Sequence, residues 1–320
     1  MSVPAAGVRL PWQAVPAKIR QAVEDHLGAP VAEAVTQTGG FSPGAAVRLR
    51  LADGRRAFAK AVGPEPNPHS ADIHRQEVRV AAALPAAAPA PRLLASFDSG
   101  GWVALLFEDV DGHPPAEPWH AAELERVLDA LDRLAAVLTP SPVAAPTPEE
   151  RFGEQFQGWR RLVAARDEGA GDPAGLDPWA ARHLDALADL EAGWTAAAAG
   201  DSLVHGDIRA DNLLLTPHEV MVVDWPWAFV GAPWLDVLMM LPSVRMQGGP
   251  PCEEVFAARP VARDADPEAV TAVLAATAGF FVDYSLRPAP PGLPTLRAFQ
   301  AAQGRAALEW LRTRLPHLHP

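Results

Sequence analysis

The proline-rich stretch Pro114-Pro115-Ala116-Glu117-Pro118 marks a composition break, beyond which the pattern becomes mainly helical. Upstream, Val47, Leu49 and Leu51 alternate with Arg48 and Arg50, the period of a half-exposed strand. Downstream, Leu124, Val127, Leu128, Leu131, Leu134 and Leu138 recur at helical spacing. This segregation predicts an α+β fold, strand-rich in its amino-terminal part and mostly helical in its carboxy-terminal part. A length of 320 residues suits one two-lobed unit or two ordinary domains.

In the first lobe, Ile19, Val23 and Leu27 form a short helical stripe that ends at Gly28. Val35 to Val47 reads as a strand, a glycine-containing loop and a second strand; Asp53-Gly54 marks a hairpin turn into a strand over residues 56–62. Lys60 shares the apolar face of that strand with Phe58 and Val62, where a lone ammonium is costly. Ser70 is placed to cap a helix from Ala71 to Leu84, which Pro85 stops. Ile73, Glu77, Val80 and Leu84 lie on one face of it, so Glu77 is a carboxylate on an apolar stripe. Each misplaced charge explains the other, and a Lys60–Glu77 ion pair is expected. A strand near residues 92–96, a turn at Gly100-Gly101 and a buried strand from Trp102 to Phe107 complete the lobe.

The second lobe reads as the helix at 124–138, a stripe of Phe152, Phe156, Trp159, Leu162 and Val163, a third of Trp179, Leu184, Leu187, Leu190 and Trp194, and closing helices near 267–284 and 295–315. Between them stands the segment densest in chemistry, His205-Gly206-Asp207-Ile208-Arg209-Ala210-Asp211-Asn212, followed by Val222-Val223-Asp224-Trp225. Leu213 to Leu215 and Val220 to Val223, joined by Thr216-Pro217-His218, read as a hairpin that returns Asp224 to the side of Asn212. One free carboxylate, Asp207, beside hard oxygen ligands from an Asn and an Asp suits magnesium and a phosphate-bearing substrate.

These residues resemble the aminoglycoside phosphotransferase (APH) family, relatives of the protein kinases. That family's catalytic loop reads H-G-D-x-x-x-x-N, with a second Asp after a hairpin. His205, Asp207, Asn212 and Asp224 match it, as do Gly231, Pro233 and Asp236 in the Gly-x-Pro and helix that follow. Pro226 departs from it at a position that is frequently acidic. The resemblance, running from about Thr36 to Asp236, implies a bilobal protein-kinase-like fold, with an antiparallel-sheet, nucleotide-binding amino-terminal lobe of residues 1–110 and a mostly helical, catalytic and substrate-binding carboxy-terminal lobe of residues 111–320, and an ATP-dependent kinase that moves the γ-phosphate to a hydroxyl of a small molecule. It implies Asp207 as catalytic base, Arg209 as a γ-phosphate contact, and Asn212 and Asp224 as ligands of Mg2+. Lys60, positioned by Glu77, would meet the α- and β-phosphates, and Gly40 and Ser42 of the first loop would approach phosphate as well. The main chains of Glu108 and Val110 would contact adenine, while His205 and Asp236 would support the catalytic loop. Read without the resemblance, the first loop is equally a plain hairpin turn, since the protein-kinase G-x-G-x-x-G spacing is absent, and Arg209 is equally a solvated arginine beside Asp211.

The acceptor is not legible. The resembling family includes kinases of aminoglycosides, of macrolides and of metabolites such as choline and homoserine. Glu154, Asp167, Glu168 and Asp283 would suit a cationic acceptor, or simply solvate helix faces. A non-catalytic nucleotide-binding pseudokinase is a second reading, opposed by competent side chains at Lys60, Glu77, Asp207, Asn212 and Asp224. A metallohydrolase using His205, Asp207 and Asp224 lacks further well-spaced histidines and leaves Lys60 and Glu77 unexplained. The expected partner is a small hydroxylated acceptor, with oligomeric state left open. A net charge of −12 disfavours nucleic acid. The start of the chain does not resemble a signal peptide, and no apolar run reaches the roughly 18 residues of a membrane span. Together with a single cysteine, Cys252, these features predict a reducing, cytoplasmic setting.

Overall fold

The computed structural model describes residues 9–37, 44–65, 69–169, 175–290 and 293–318. The chain packs as two units, one of residues 4–114 with 211–227 and one of residues 115–210 with 228–320.

The first unit is built on an antiparallel sheet of β1 (Val31–Thr36), β2 (Ala45–Leu51), β3 (Arg56–Val62), β4 (Leu93–Ser99) and β5 (Trp102–Glu108), in the order β1-β2-β3-β5-β4. α1 (Ala17–Leu27) precedes it and ends on Gly28 in the left-handed conformation, φ 70°. α2 (His69–Ala83) joins β3 to β4. Both faces of the sheet are covered, which is why β5 reads as an unbroken apolar run instead of an alternation. Ala104 and Leu106 pack with Trp12, Val15, Ile19 and Val23, together with Ala57, Ala59 and Ala61 of β3. Val103, Leu105 and Phe107 take the opposite face with Phe58 and with Ala71 and Ala81 of α2. Lys60 stands opposite Leu105 in the ladder. Strand parity alone therefore turns Lys60 toward α2.

α2 departs from expectation at its start. It begins at His69, so Ser70 lies within it, and the Ser70 carbonyl lies 2.9 Å from Nδ1 of His74. Its buried stripe is Ala71, His74, Glu77, Val80 and Ala81, with Ile73 only half-buried beside it. The expected stripe thus holds at Glu77 and Val80 and misses His74, since a histidine carries no weight in an apolar-periodicity count, while Leu84 lies just past the helix end and is half-buried.

The same unit takes in the hairpin of β7 (Leu213–Leu215) and β8 (Val220–Val222). Main-chain bonds fasten it there. Leu215 exchanges hydrogen bonds with His113, at 3.1 and 2.7 Å, and Val222 N–H donates to Pro89 O at 2.7 Å. Residues 211–227, which the sequence would assign to the helical lobe, thus pack with the sheet. Backbone bonds leave no trace in a side-chain pattern.

The second unit contains α3 (Ala121–Val137), α4 (Pro148–Phe152), α5 (Gly158–Asp167), α6 (Pro178–Arg182), α7 (Leu184–Ala192) and α8 (Trp194–Ala197). After the short strand β6 (Ser202–Val204), which pairs antiparallel with β9 (Phe229–Gly231), come α9 (Leu235–Met246), α10 (Cys252–Ala257), α11 (Pro260–Arg263), α12 (Pro267–Ser285) and α13 (Leu296–Arg314). α12 is buried all round from Val270 to Gly279 and forms the axis on which α5, α7, α8 and α13 pack. Its crossing with α5 requires glycine: a Cβ on Gly158 would stand 2.0 Å from Gly279 O.

Two stripes expected to be continuous helices are broken. Residues 152–163 split into α4 and α5 because the fully buried Glu191 of α7 accepts the amides of Trp159 and Arg160, at 3.0 and 3.1 Å, and so satisfies the first turn of a separate helix. The stripe over 179–194 divides into α6, α7 and α8 at His183 and Gly193. No helix among the described residues is long and apolar enough to cross a membrane.

Candidate active site

In the second unit, β6 leads the chain into His205-Gly206-Asp207. Asp236, near the start of α9, grips this turn: Oδ2 accepts from His205 N–H and Oδ1 from Gly206 N–H, each at 2.9 Å. Gly206 takes φ 79°. Burial pushes the Asp236 carboxyl up to about 6, against the pull of those two amides. His205 is wholly buried, and its Nδ1 accepts the Asp207 N–H at 3.2 Å, so the ring serves the loop's main chain. The Asp207 carboxylate is 27% exposed and accepts from Arg209 Nη1 at 3.1 Å. A solvent-reachable carboxylate on a clamped backbone is what a proton acceptor requires.

In the first unit, the hairpin register sets Leu213 opposite Val222, and Val223 N–H donates to Asn212 O at 3.0 Å. The register therefore sets Asn212 opposite Val223, the residue before Asp224, at the open end of β7 and β8. Asp224 has φ 71° and is the one non-glycine residue with positive φ among the described residues. That conformation is strained for most side chains and tolerated best by Asp and Asn. Lys60 reaches its expected partner and one that was not expected: Nζ lies 2.6 Å from Glu77 Oε1 and 2.5 Å from Asp224 Oδ1. Glu77 is 2% exposed and also accepts from the main chain of Trp225. Burial pulls the Lys60 ammonium down, but the carboxylates of Asp224 and Glu77 outweigh it and hold Lys60 above lysine's ordinary value. Burial pushes the Glu77 carboxyl up, opposed by Lys60.

An amide oxygen and a carboxylate are hard donors of the kind magnesium takes. No group of three or more His, Cys, Asp and Glu side chains suited to a metal occurs among the described residues. Magnesium fits such a sparse set, because it completes its shell with water and substrate phosphates, whereas a dedicated cage does not.

At the end of β5, Glu108 N–H donates to Arg92 O at 3.1 Å, and the Glu108 carboxylate is paired with Arg92. The Val110 carbonyl accepts from Gly112 N–H at 3.1 Å and from the Arg48 guanidinium. Gly40 and Ser42 lie outside the described residues. Of the acidic residues considered for a cationic acceptor, Asp283 is paired with Arg161 and Arg287, and Asp167 with Arg166.

Besides the Lys60–Asp224 pair, three features of the site went unread in the sequence. His74 is buried one turn before Glu77, and burial together with Lys60 pulls its imidazole down to about 4. The positive φ of Asp224 and the acceptance of Trp225 N–H by Glu77 are the others. The only available signal was Asp224 itself, a residue type that tolerates positive φ directly after a strand.

A sheet unit whose lysine and helix glutamate meet an aspartate at a hairpin, with a helical unit carrying a clamped His-Gly-Asp turn, defines a protein-kinase-like fold. A family model described as the phosphotransferase enzyme family (APH) matches residues 38–272, and the chain belongs to that family. Among solved structures it is similar to a thermostable variant of aminoglycoside phosphotransferase APH(4)-Ia in ternary complex with AMP-PNP and hygromycin B, at 14% identity over 94% of this chain and 98% of that one, TM-score 0.57. A choline kinase from Cryptosporidium parvum Iowa II shares 12% identity over 96% and 92% of the two chains, TM-score 0.57. Macrolide 2'-phosphotransferase type I shares 16% over 92% and 95%, TM-score 0.53. At these identities the likeness speaks to the fold. No curated protein sequence gives a match.

Proposed function

We propose that this chain is an ATP- and magnesium-dependent kinase that transfers the γ-phosphate to a hydroxyl of a small molecule. The observation that carries the proposal is Lys60 held between Glu77 and Asp224, beside Asn212, within one packed unit. Lys60 is a caged cation whose second partner, Asp224, is the natural ligand of an incoming metal. On nucleotide binding Lys60 exchanges Asp224 for phosphate oxygens while Glu77 keeps its ammonium in place. Asn212 and Asp224 would hold the magnesium ion, which when bound neutralises phosphate charge. Asp207 orients the acceptor hydroxyl and takes its proton as the new oxygen–phosphorus bond forms and the bond to the β-phosphate oxygen breaks. Arg209, bonded to Asp207, adds positive charge beside that carboxylate. Lys60 supplies an electrostatic part of catalysis, and the clamp of Asp236 on His205 and Gly206 holds the turn that carries Asp207.

At Glu108 and Val110 the groups proposed to meet the base are the Glu108 carbonyl and the Val110 N–H, because the partner group at each position is already engaged. An acceptor followed by a donor matches the edge of adenine, which donates from its amino group and accepts at the ring nitrogen, and mismatches guanine. The acceptor class includes aminoglycosides, macrolides, choline and homoserine. The pairing of Asp167 and Asp283 with arginines removes them as a reason to favour a polycation. The test is nucleotide consumption against a panel of aminoglycosides, macrolides and amino alcohols, with mass detection of a phosphate adduct. A stoichiometric adduct with one acceptor class supports the reading; magnesium-dependent ATP binding with no turnover on any acceptor replaces it with the pseudokinase.

A further inference from the structure

In the sequence Arg48 reads as the solvent side of β2, alternating with Val47 and Leu49. The sheet register gives it a different setting. Arg48 stands opposite Phe58 and Ala46 opposite Lys60, while Phe58 stands opposite Phe107. Facing residues share a side, so Arg48, Phe58, Phe107 and Lys60 occupy one face of the sheet. Lys60 Nζ lies 6.0 Å from the centre of the Phe107 ring, which places the end of β5 beside the lysine. From this face Arg48 reaches the segment after β5. Its Nε donates to Asp109 Oδ1 at 2.7 Å, and its Nη2 donates to Val110 O. The Asp109 side chain is 5% exposed and holds the guanidinium in place as a charged pair.

A carbonyl oxygen has two acceptor sites. At Val110 one is taken by Gly112 N–H, at 3.1 Å, and the other by Arg48. The purine that this segment admits depends on the second bond. Adenine offers a donor, its amino group, and then an acceptor, its ring nitrogen; Glu108 O and Val110 N–H meet that order. Guanine offers the reverse, the O6 acceptor and then the N1–H donor. It needs a main-chain donor followed by a main-chain acceptor, and Val110 N–H with Val110 O is such a pair. Arg48 fills the acceptor. Guanine in that register would set its N1–H against an oxygen already satisfied, beside a guanidinium that has only donors to offer.

We infer that Arg48 is a specificity-determining residue that keeps guanine nucleotides out by occupying the Val110 carbonyl. This rests on the reading of Glu108 and Val110 as the base-contacting segment. The experiment titrates the full-length protein with AMP-PNP and with GMP-PNP, each with magnesium, by isothermal calorimetry. It compares wild type with Arg48→Met, with Arg48→Met combined with Asp109→Asn, and with Lys60→Ala, and records thermal stability without nucleotide. The readout is the ratio of the two Kd values, in which a general loss from a loosened fold cancels. Wild type should favour AMP-PNP. The freed acceptor is worth one hydrogen bond, so Arg48→Met should shift the ratio about 3–10-fold toward GMP-PNP. If the unpaired Asp109 carboxylate stops Arg48→Met from folding, the double variant decides by the same shift. A ratio equal to that of wild type overturns the inference and leaves Arg48 a brace of the segment. Wild type that binds GMP-PNP as tightly as AMP-PNP, or more tightly, overturns it too. Either result sinks this inference alone as long as Lys60→Ala weakens AMP-PNP binding. Wild type that binds neither nucleotide, or binding indifferent to Lys60→Ala, sinks the nucleotide site and this inference with it.

Discussion

Replacing Glu77 separates what its buried carboxylate does for the fold from what it does for Lys60. The side chain is 2% exposed, accepts Lys60 Nζ at 2.6 Å, and accepts the Trp225 main chain. Glu77→Gln keeps the volume and one acceptor oxygen while removing a charge that burial disfavours, so its expected cost is under about 1 kcal/mol. Glu77→Ala deletes both acceptor oxygens, strands a buried amide and weakens the cage of a buried ammonium, at about 3–5 kcal/mol. Nucleotide binding should respond differently. Without charge at position 77, the contact between Lys60 and Asp224 at 2.5 Å becomes the ammonium's single ion pair. A hydrogen bond to a charged group is worth about 1.5–3 kcal/mol, so magnesium–nucleotide affinity should fall about 10–100-fold in Glu77→Gln. Urea unfolding without nucleotide, alongside calorimetric titration with AMP-PNP and magnesium, measures the two effects separately. Glu77→Gln as unstable as Glu77→Ala, or binding nucleotide like wild type, would refute the reasoning.

Asp207→Ala should lower turnover by about 10²–10⁴ and leave AMP-PNP affinity within a few-fold, read by steady-state kinetics beside calorimetry. Asp224→Asn tolerates the φ of 71° and should fold normally, yet lose most of the magnesium dependence of nucleotide binding, whereas Asp224→Val should cost a further ~1–3 kcal/mol in urea titration. His74 is neutral in the fold, its imidazole held down to about 4 from 6.5. Between those values the unfolded chain binds the extra proton, so stability falls as pH drops from about 6.5 to about 4, by about 3 kcal/mol. Asp236, raised to about 6, runs the other way, gaining stability as pH falls through 6. The difference between wild type and His74→Gln over that window isolates the His74 limb, and parallel curves for the two proteins would contradict it.

Much of the site could be read from side-chain chemistry alone. Lys60 and Glu77 each broke an apolar pattern, and a buried charge has so few tolerable surroundings that each predicted the other. The spacing of Asp207, Asn212 and Asp224 across two short apolar runs set the hairpin, because register follows from the turn and the alternation. The period change near residue 114 separated sheet from helices for the same reason: burial of one face imposes a period on the chain.

Other features rest on contacts that leave no mark on composition or spacing. Main-chain bonds from His113 and Pro89 fasten residues 211–227 to the sheet, and Glu191 starts a separate helix by capping amides more than thirty residues away. Side-chain periodicity records which faces are dry. It does not record where a backbone amide finds its acceptor or which distant charges share a pocket, since those are settled when separate segments compete for the same space and the same hydrogen bonds.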